Sequence, residues 1–260
     1  MKIASLLLLV LFTNISTHAQ SIAELKAKGK KQIAEGNFKE GIFSYEQAAK
    51  MGDAEAQYNY AFALEAGGAE VKDVKLANEW FLKSALQKYP EAELKLAYNY
   101  GTGTGLPQDY KQAFYWSHRC AEQGDPECMY NIISCYQEGL GTEKNTDSMI
   151  YWLVTLATSP NPDLLQKSQR VTMGRLHLAY MYKEGKVLQK NPMKSLCWFL
   201  IYNEHKTDVS VGEQQVHIGV IEELVQDMSL SEQKEAREDA EKILGHPLTQ
   251  FDKLYKAVML

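Results

Sequence analysis

The chain has 260 residues, 45% hydrophobic and 23% charged, which is enough for one extended array or two compact domains. Thirty-three acidic residues against 28 basic ones leave a net charge of −5. That balance argues against a nucleic-acid or anionic-membrane partner, since both need a concentrated cationic surface.

The first segment is not expected to belong to the fold. Met1-Lys2 is a short positive end, Leu6 to Phe12 an apolar run, and Thr17-His18-Ala19 puts small residues where a signal peptidase reads. The run is too short for a bilayer, which takes about 20 residues, and no later segment comes close. No Cys follows it, so the usual lipid-attachment position is missing. Residues 1–19 read as a signal peptide cleaved near Ala19, and the mature chain as soluble and exported, to the periplasm or beyond.

Residues 22–53 read as a short helix pair with Gly29, Gly36-Asn37-Phe38, Gly41, Tyr45 and Ala48. Its Lys26, Lys28, Lys30 and Lys31 form a solvated helix face. From there the chain repeats. Trp80, Trp116 and Trp152 are 36 residues apart, and Trp198 follows after 46. Ala56, Ala92, Cys128 and Gly174 keep the same steps, as do Ala61, Ala97, Ile133 and Ala179, and Gly67, Gly103, Gly139 and Gly185. This marks four units, 54–90, 91–126, 127–160 and 171–206. The extra residues, in Ser159 to Arg170, read as a Pro-rich and polar loop insertion.

Each unit predicts two helices. The first carries apolar residues at helical spacing and ends at a Gly pair such as Gly103 and Gly105. The second, Tyr110 to Gln123 in the best unit, has Ala113, Trp116 and Ala121 on one buried face. The Trp fills the space between pairs. Residues 211–245 add two capping helices: Val211 to Asp227, then one opened by the capping box Ser229-Leu230-Ser231-Glu232 and stopped at Gly245. The outward side of that last helix is charged, as a terminal cap requires. Residues 246–260 are a tail.

Few motifs carry chemistry. Gly101-Thr-Gly-Thr-Gly105 lacks the strand and the Gly-Lys-Ser/Thr of a phosphate loop, and its last two glycines are repeat turns. Ser231-Glu-Gln-Lys234 fits Ser-x-x-Lys without Ser-Asp-Asn or Lys-Thr-Gly, and Ser231 sits at a helix start where Ser is an expected cap. Six histidines form no metal motif and no triad. No cofactor is implied.

The pattern Ala-x-x-x-Leu/Tyr-Ala/Gly-x-x-Tyr, a Gly-x-Gly turn, Asp109 and Lys111, Ala113-x-x-Trp116 and Ala121-x-x-Gly124 resembles the Sel-like repeat, a branch of the tetratricopeptide superfamily. Residues 22–53 are similar to an ordinary tetratricopeptide. The third unit departs with Asp147 for Lys, and the fourth with Asn203 for Ala. The resemblance implies an all-α, right-handed superhelix of stacked antiparallel helix pairs, first helices on the concave side. It also implies an adaptor for a protein or peptide partner.

Two further expectations follow. Cys120 and Cys128 flank Gly124 at equal offsets, at matched height about 6 Å from the turn, and cysteine-rich members of the family bridge this spacing. A disulfide is expected there, while Cys135 and Cys197 read as free, buried thiols. The family's inward positions map to Tyr58, Phe62, Leu94, Tyr98, Tyr130, Leu176 and Tyr180, with Asn59, Asn131 and His177 beside them. Rings with polar tips and amides suit an extended peptide, though several of these rings would serve equally as core. An exported binding scaffold is the leading expectation. A β-lactam-binding or -hydrolysing enzyme, as linked with cysteine-rich members, and a self-associating array are the alternatives.

Overall fold

The computed structural model describes residues 21–67, 72–208 and 210–249. The expected signal peptide and most of the tail lie outside them. Among the described residues there are helices and turns but no strands, and the chain divides into two compact units at Gln123–Gly124.

The first unit holds α1 (residues 21–34), α2 (Phe38–Lys50), α3 (Ala54–Ala66), α4 (Val74–Leu86), α5 (Pro90–Thr102) and α6 (Tyr110–Glu122). From α2 onward, each helix packs on the next. The column of small residues makes this possible: Ala48, Ala56, Ala61, Ala77, Ala85 and Ala92 are fully buried, so neighbouring backbones come close around Phe81, Leu96 and Trp116. At α1 the same role falls to Gly29, where an added Cβ would stand 3.0 Å from the Tyr45 ring.

Acidic caps open the helices. Asp53 accepts the Ala56 N–H at 2.7 Å, Asp73 that of Leu76 at 2.9 Å, and Asp109 those of Lys111 and Gln112. Each such cap contributes about 0.5–2 kcal/mol. The turn after α5 is pinned back on α4: Asn78 Nδ2 donates to the Thr104 carbonyl at 3.0 Å, and Asn99 Nδ2 donates to Asn78 Oδ1 at 2.7 Å. Glu93 is fully buried, 3.0 Å from the Arg119 guanidinium, and accepts from Gln123 Nε2 at 2.6 Å. Burial nevertheless holds its carboxyl above the usual carboxylate range.

The second unit holds α7 (Pro126–Glu138), α8 (Thr146–Thr158), α9 (Leu165–Glu184), α10 (Pro192–Glu204), a 3-10 turn (Lys206–Asp208), α11 (Val211–Gln226) and α12 (Leu230–Leu244). Here α9 packs on α7, α8 and α10, while α11 and α12 both lie against α10. Enclosed by these neighbours, α10 is buried without a break from Ser195 to Asn203. Gly103, Gly139 and Gly185 end α5, α7 and α9 in the left-handed conformation. Gly67 does not share it, at φ −58°.

Capping boxes open both α11 and α12. Ser229 accepts the Glu232 N–H while Glu232 accepts the Ser229 N–H at 2.8 Å, and Gly245 closes the helix in the left-handed region. Ser229 is therefore the cap, and Ser231 stands inside the first turn, exposed.

The expected loop over Ser159 to Arg170 needs correction. Only 159–164 is irregular, and α9 begins at Leu165 and runs 20 residues, against 13 for each of α2 to α8 and α10. Pro160 and Pro162 confine the break, because beyond them no Pro or Gly interrupts the helix before Gly174. Burial of Ser168, Val171 and Thr172 then holds the added turns, with ion pairs from Lys167 to Asp125 at 2.6 Å and from Arg170 to Glu127 at 2.9 Å.

Candidate functional site

Three of the four repeat tryptophans are buried, as a packing layer requires: Trp116, Trp152 and Trp198. Trp80 is half-buried, edge-on to Tyr60 with ring centroids 5.3 Å apart, and the Lys83 ammonium lies 3.6 Å from its ring. These indoles serve the fold. The candidate for recognition is the set of first helices.

In the first unit, α3 presents Tyr58, Asn59 and Phe62 on adjoining turns. Tyr58 is the hub of an aromatic cluster, with ring centroids 6.1 Å from Phe62, 5.6 Å from Phe81 and 5.4 Å from Tyr89. Burial and nearby carboxylates raise its phenol, and push that of Tyr89 up to about 12. Both stay neutral donors at physiological pH. Phe62 keeps 49% of its surface open, far more than a core ring would. With Asn59 it lines an apolar cleft of about 340 Å³, whose other walls include Lys30, Ile33, Phe38, Tyr45 and Ala63. On α5, Leu94 is half-buried and Tyr98 is 58% exposed, with the Lys95 ammonium 5.4 Å from its ring.

The second unit treats the expected positions unevenly. Tyr130 is half-buried and covered by the Arg170 guanidinium at 4.5 Å, and Asn131 is half-buried beside it in sequence. Leu176 is 5% exposed and belongs to the core, a departure from its expected place in a groove. The reason is the position of α9, packed against three helices. Its neighbour His177 is exposed. Tyr180 is half-buried, its hydroxyl 2.9 Å from His217 Nδ1 on α11 and its ring edge-on to Phe199, so its polar tip already has a partner.

A second cleft, of about 640 Å³, lies in this unit where sequence reading gave no site. Glu127 of α7, Gln166, Gln169, Arg170 and Met173 of α9, and Asp208, Ser210 and Glu213 line it. Its Asp208 Oδ2 accepts from Ser168 at 2.6 Å and Thr172 at 2.9 Å. The cleft depends on the added turns of α9, so reading that stretch as a loop hid it. The signal that would have revealed it is the Pro-free run from Asp163 onward.

Cys120 and Cys128 are disulfide-bonded. Cys197 is buried and free, its thiol pushed up to about 12 by burial, but Cys135 is only half-buried, contrary to expectation. Lys234, the partner of Ser231 in the Ser-x-x-Lys pattern, ion-pairs with Glu238 at 3.6 Å on an exposed face.

Consecutive antiparallel helix pairs with a fixed register of caps, small residues and indoles define an all-α solenoid protein of the repeat class. The family follows from comparison. The Sel1 repeat model matches residues 54–89, 90–125, 126–154 and 173–201, and the chain belongs to that family. It is similar to a Sel1 repeat protein from Oxalobacter formigenes, known as a crystal structure, at 25% identity and a TM-score of 0.61, over 85% of this chain and 87% of that one. It also matches a protective antigen of uropathogenic Escherichia coli with an SLR fold, at 17% identity and a TM-score of 0.43, over 85% of this chain and 51% of that one. No curated protein is significantly similar in sequence. A Sel1 repeat scaffold points to protein–protein interaction in general, and such proteins are typically non-catalytic.

Proposed function

We propose that this protein is an exported scaffold that holds an extended peptide segment of a partner protein on its first helices. The observation that carries the reading is Phe62. It is a large ring half open to solvent, at the edge of an apolar cleft, with the Asn59 amide and the Lys30 ammonium on the same walls. Exposed rings of this kind supply binding area at low conformational cost, and an amide pairs with peptide backbone groups. Tyr98 adds a second exposed ring on α5. In the other unit, the cleft with Arg170, Gln166 and Gln169 offers polar partners to side chains of a peptide.

The export reading draws on the amino-terminal pattern and on the disulfide, since such bonds persist in oxidising compartments. Among the described residues, no helix is long and apolar enough to cross a membrane.

The test is selection of phage-displayed linear peptides against the oxidised protein, followed by titration of the enriched sequences. Phe62→Ala combined with Tyr98→Ala removes two exposed rings and no core. Affinity is expected to fall by tenfold or more, the scale of a lost binding hot spot, with the helical circular dichroism unchanged. Enriched peptides that bind the double variant as tightly as the parent would refute the first-unit face as the site.

A further inference from the structure

A third cleft, of about 420 Å³, opens in the second unit and shares only α9, through Arg175, with the 640 Å³ cleft. The carboxyl end of α8, α10 and α12 enclose it, with Ala157, Ile201, Ile243 and Leu244 as apolar walls and Arg175 and His205 among its polar ones. Its size lies within the roughly 300–1,000 Å³ of small-molecule sites. Ile243 and His246 are exposed and mark its open side.

Arg175 is the unusual member. It is 2% exposed, and its guanidinium is only partly used. Nε donates to the Ala157 carbonyl at 3.0 Å and Nη2 to the Ser159 carbonyl at 3.1 Å, which completes the end of α8. Nη1 is buried and has no hydrogen-bond partner. Two more buried atoms on the same walls are in that condition, His205 Nδ1 and Asn161 Oδ1. Asp208 attracts Arg175 through space but makes no hydrogen bond to it, its Oδ2 being taken up by Ser168, Thr172 and Asn161 Nδ2. Burial lowers the guanidinium to about 10, so it remains a cation at neutral pH. A buried cation with an open donor is costly unless an anion meets it.

We propose that this cleft binds a small organic carboxylate with an apolar body, its head on Arg175 and His205 and its body against Ile201, Ile243 and Leu244. The charge count selects a carboxylate over a phosphate. One open guanidinium nitrogen, its charge partly offset by Asp208, stands beside an imidazole that burial and Arg175 disfavour from protonating. Together they match at most a single negative charge, whereas a phosphate monoester brings about two and three acceptor oxygens. The apolar walls have no use for a bare inorganic ion. A free branched-chain acid and the carboxyl terminus of a peptide ending in an apolar residue share this chemistry.

Calorimetric titration with 4-methylpentanoate and 4-methylpentanamide, and with Gly-Gly-Leu as free acid and as carboxamide, tests the assignment. Each acid is expected to bind at least about tenfold more tightly than its amide, the scale of one charge-assisted hydrogen bond. The tighter of the two acids identifies the natural source. Arg175→Met is expected to abolish binding, but it also removes a support of α8, so a second variant is needed. Ile243→Trp fills the cleft from an exposed position and leaves both Arg175 bonds in place. It is expected to abolish binding with Tm unchanged. Equal affinity for acid and amide, no binding of either acid, or full binding by Ile243→Trp would each overturn the proposal.

Discussion

At the scale of the residue, two glycines with left-handed backbones separate two costs. Gly105 has φ +68°, and an added Cβ would stand 2.6 Å from Val74 Cγ1 and 2.8 Å from Asn78 Nδ2, inside the turn that is pinned to α4. Gly52 has φ +92°, with nothing within 4 Å of that point. Gly52→Ala therefore carries the left-handed penalty alone, about 1–2 kcal/mol. Gly105→Ala adds overpacking of about 1–3 kcal/mol, because Val74 and the buried Asn78–Asn99 pair have little room to give. Urea denaturation of both variants is expected to place Gly105→Ala the lower in midpoint by at least the difference. Equal midpoints would mean that the turn moves freely off α4. Gly105 was legible in the sequence as part of the stop after α5, but its second duty was not. That duty depends on Val74 and Asn78, which lie 31 and 27 residues earlier.

At the scale of the element, the sequence announced nearly every helix, because caps and small residues repeat at one period. Asp53, Asp73, Asp109, Asp125, Asn145 and Asn191 all accept a backbone N–H at a helix start. The stretch that failed to read correctly lies where the period breaks. Residues 165–170 look like a loop by composition, and they are helical because α9 is held by α7 and by two ion pairs from Lys167 and Arg170. Tertiary packing overrides local preference there. A proline distinguishes the two readings. Gln169 is the fifth residue of α9, so Gln169→Pro removes one helical hydrogen bond and sets the ring against the Leu165 carbonyl, at a cost of about 3 kcal/mol or more. A loop at this point would absorb the same change within about 0.5 kcal/mol. The variant is expected to lose the larger amount in chemical denaturation and, with it, the 640 Å³ cleft that α9 frames. The peptide-facing residues were less legible for a related reason. Tyr58 and Leu176 occupy equivalent family positions, yet one is half-buried and the other is core. The difference comes from how many helices surround α3 and α9, which a repeat pattern does not encode.

At the scale of the whole molecule, a repeat chain has no single core to draw on, so stability accumulates from local interfaces and from whatever covalent constraint the chain carries. That gives the Cys120–Cys128 bond weight beyond its short loop. On the chain-entropy model, closing so few residues stabilises by about 2–3 kcal/mol, a large share of a typical folding free energy. The remaining thiols offer no substitute, since Cys197 is buried with its thiol raised to about 12 and Cys135 is also raised by burial. Neither forms the reactive thiolate at neutral pH. Export and disulfide are thus one hypothesis with two readouts on protein recovered from its native cell. Intact mass is expected to show removal of residues 1–19, with alkylation before reduction labelling at most two thiols, Cys135 and Cys197. Cys120→Ser with Cys128→Ser, purified in parallel, is expected to unfold with a free energy about 2–3 kcal/mol lower. A native chain that retains its amino terminus and alkylates at all four cysteines would refute export into an oxidising compartment. A double variant as stable as the parent would show instead that the stacked helices need no covalent help.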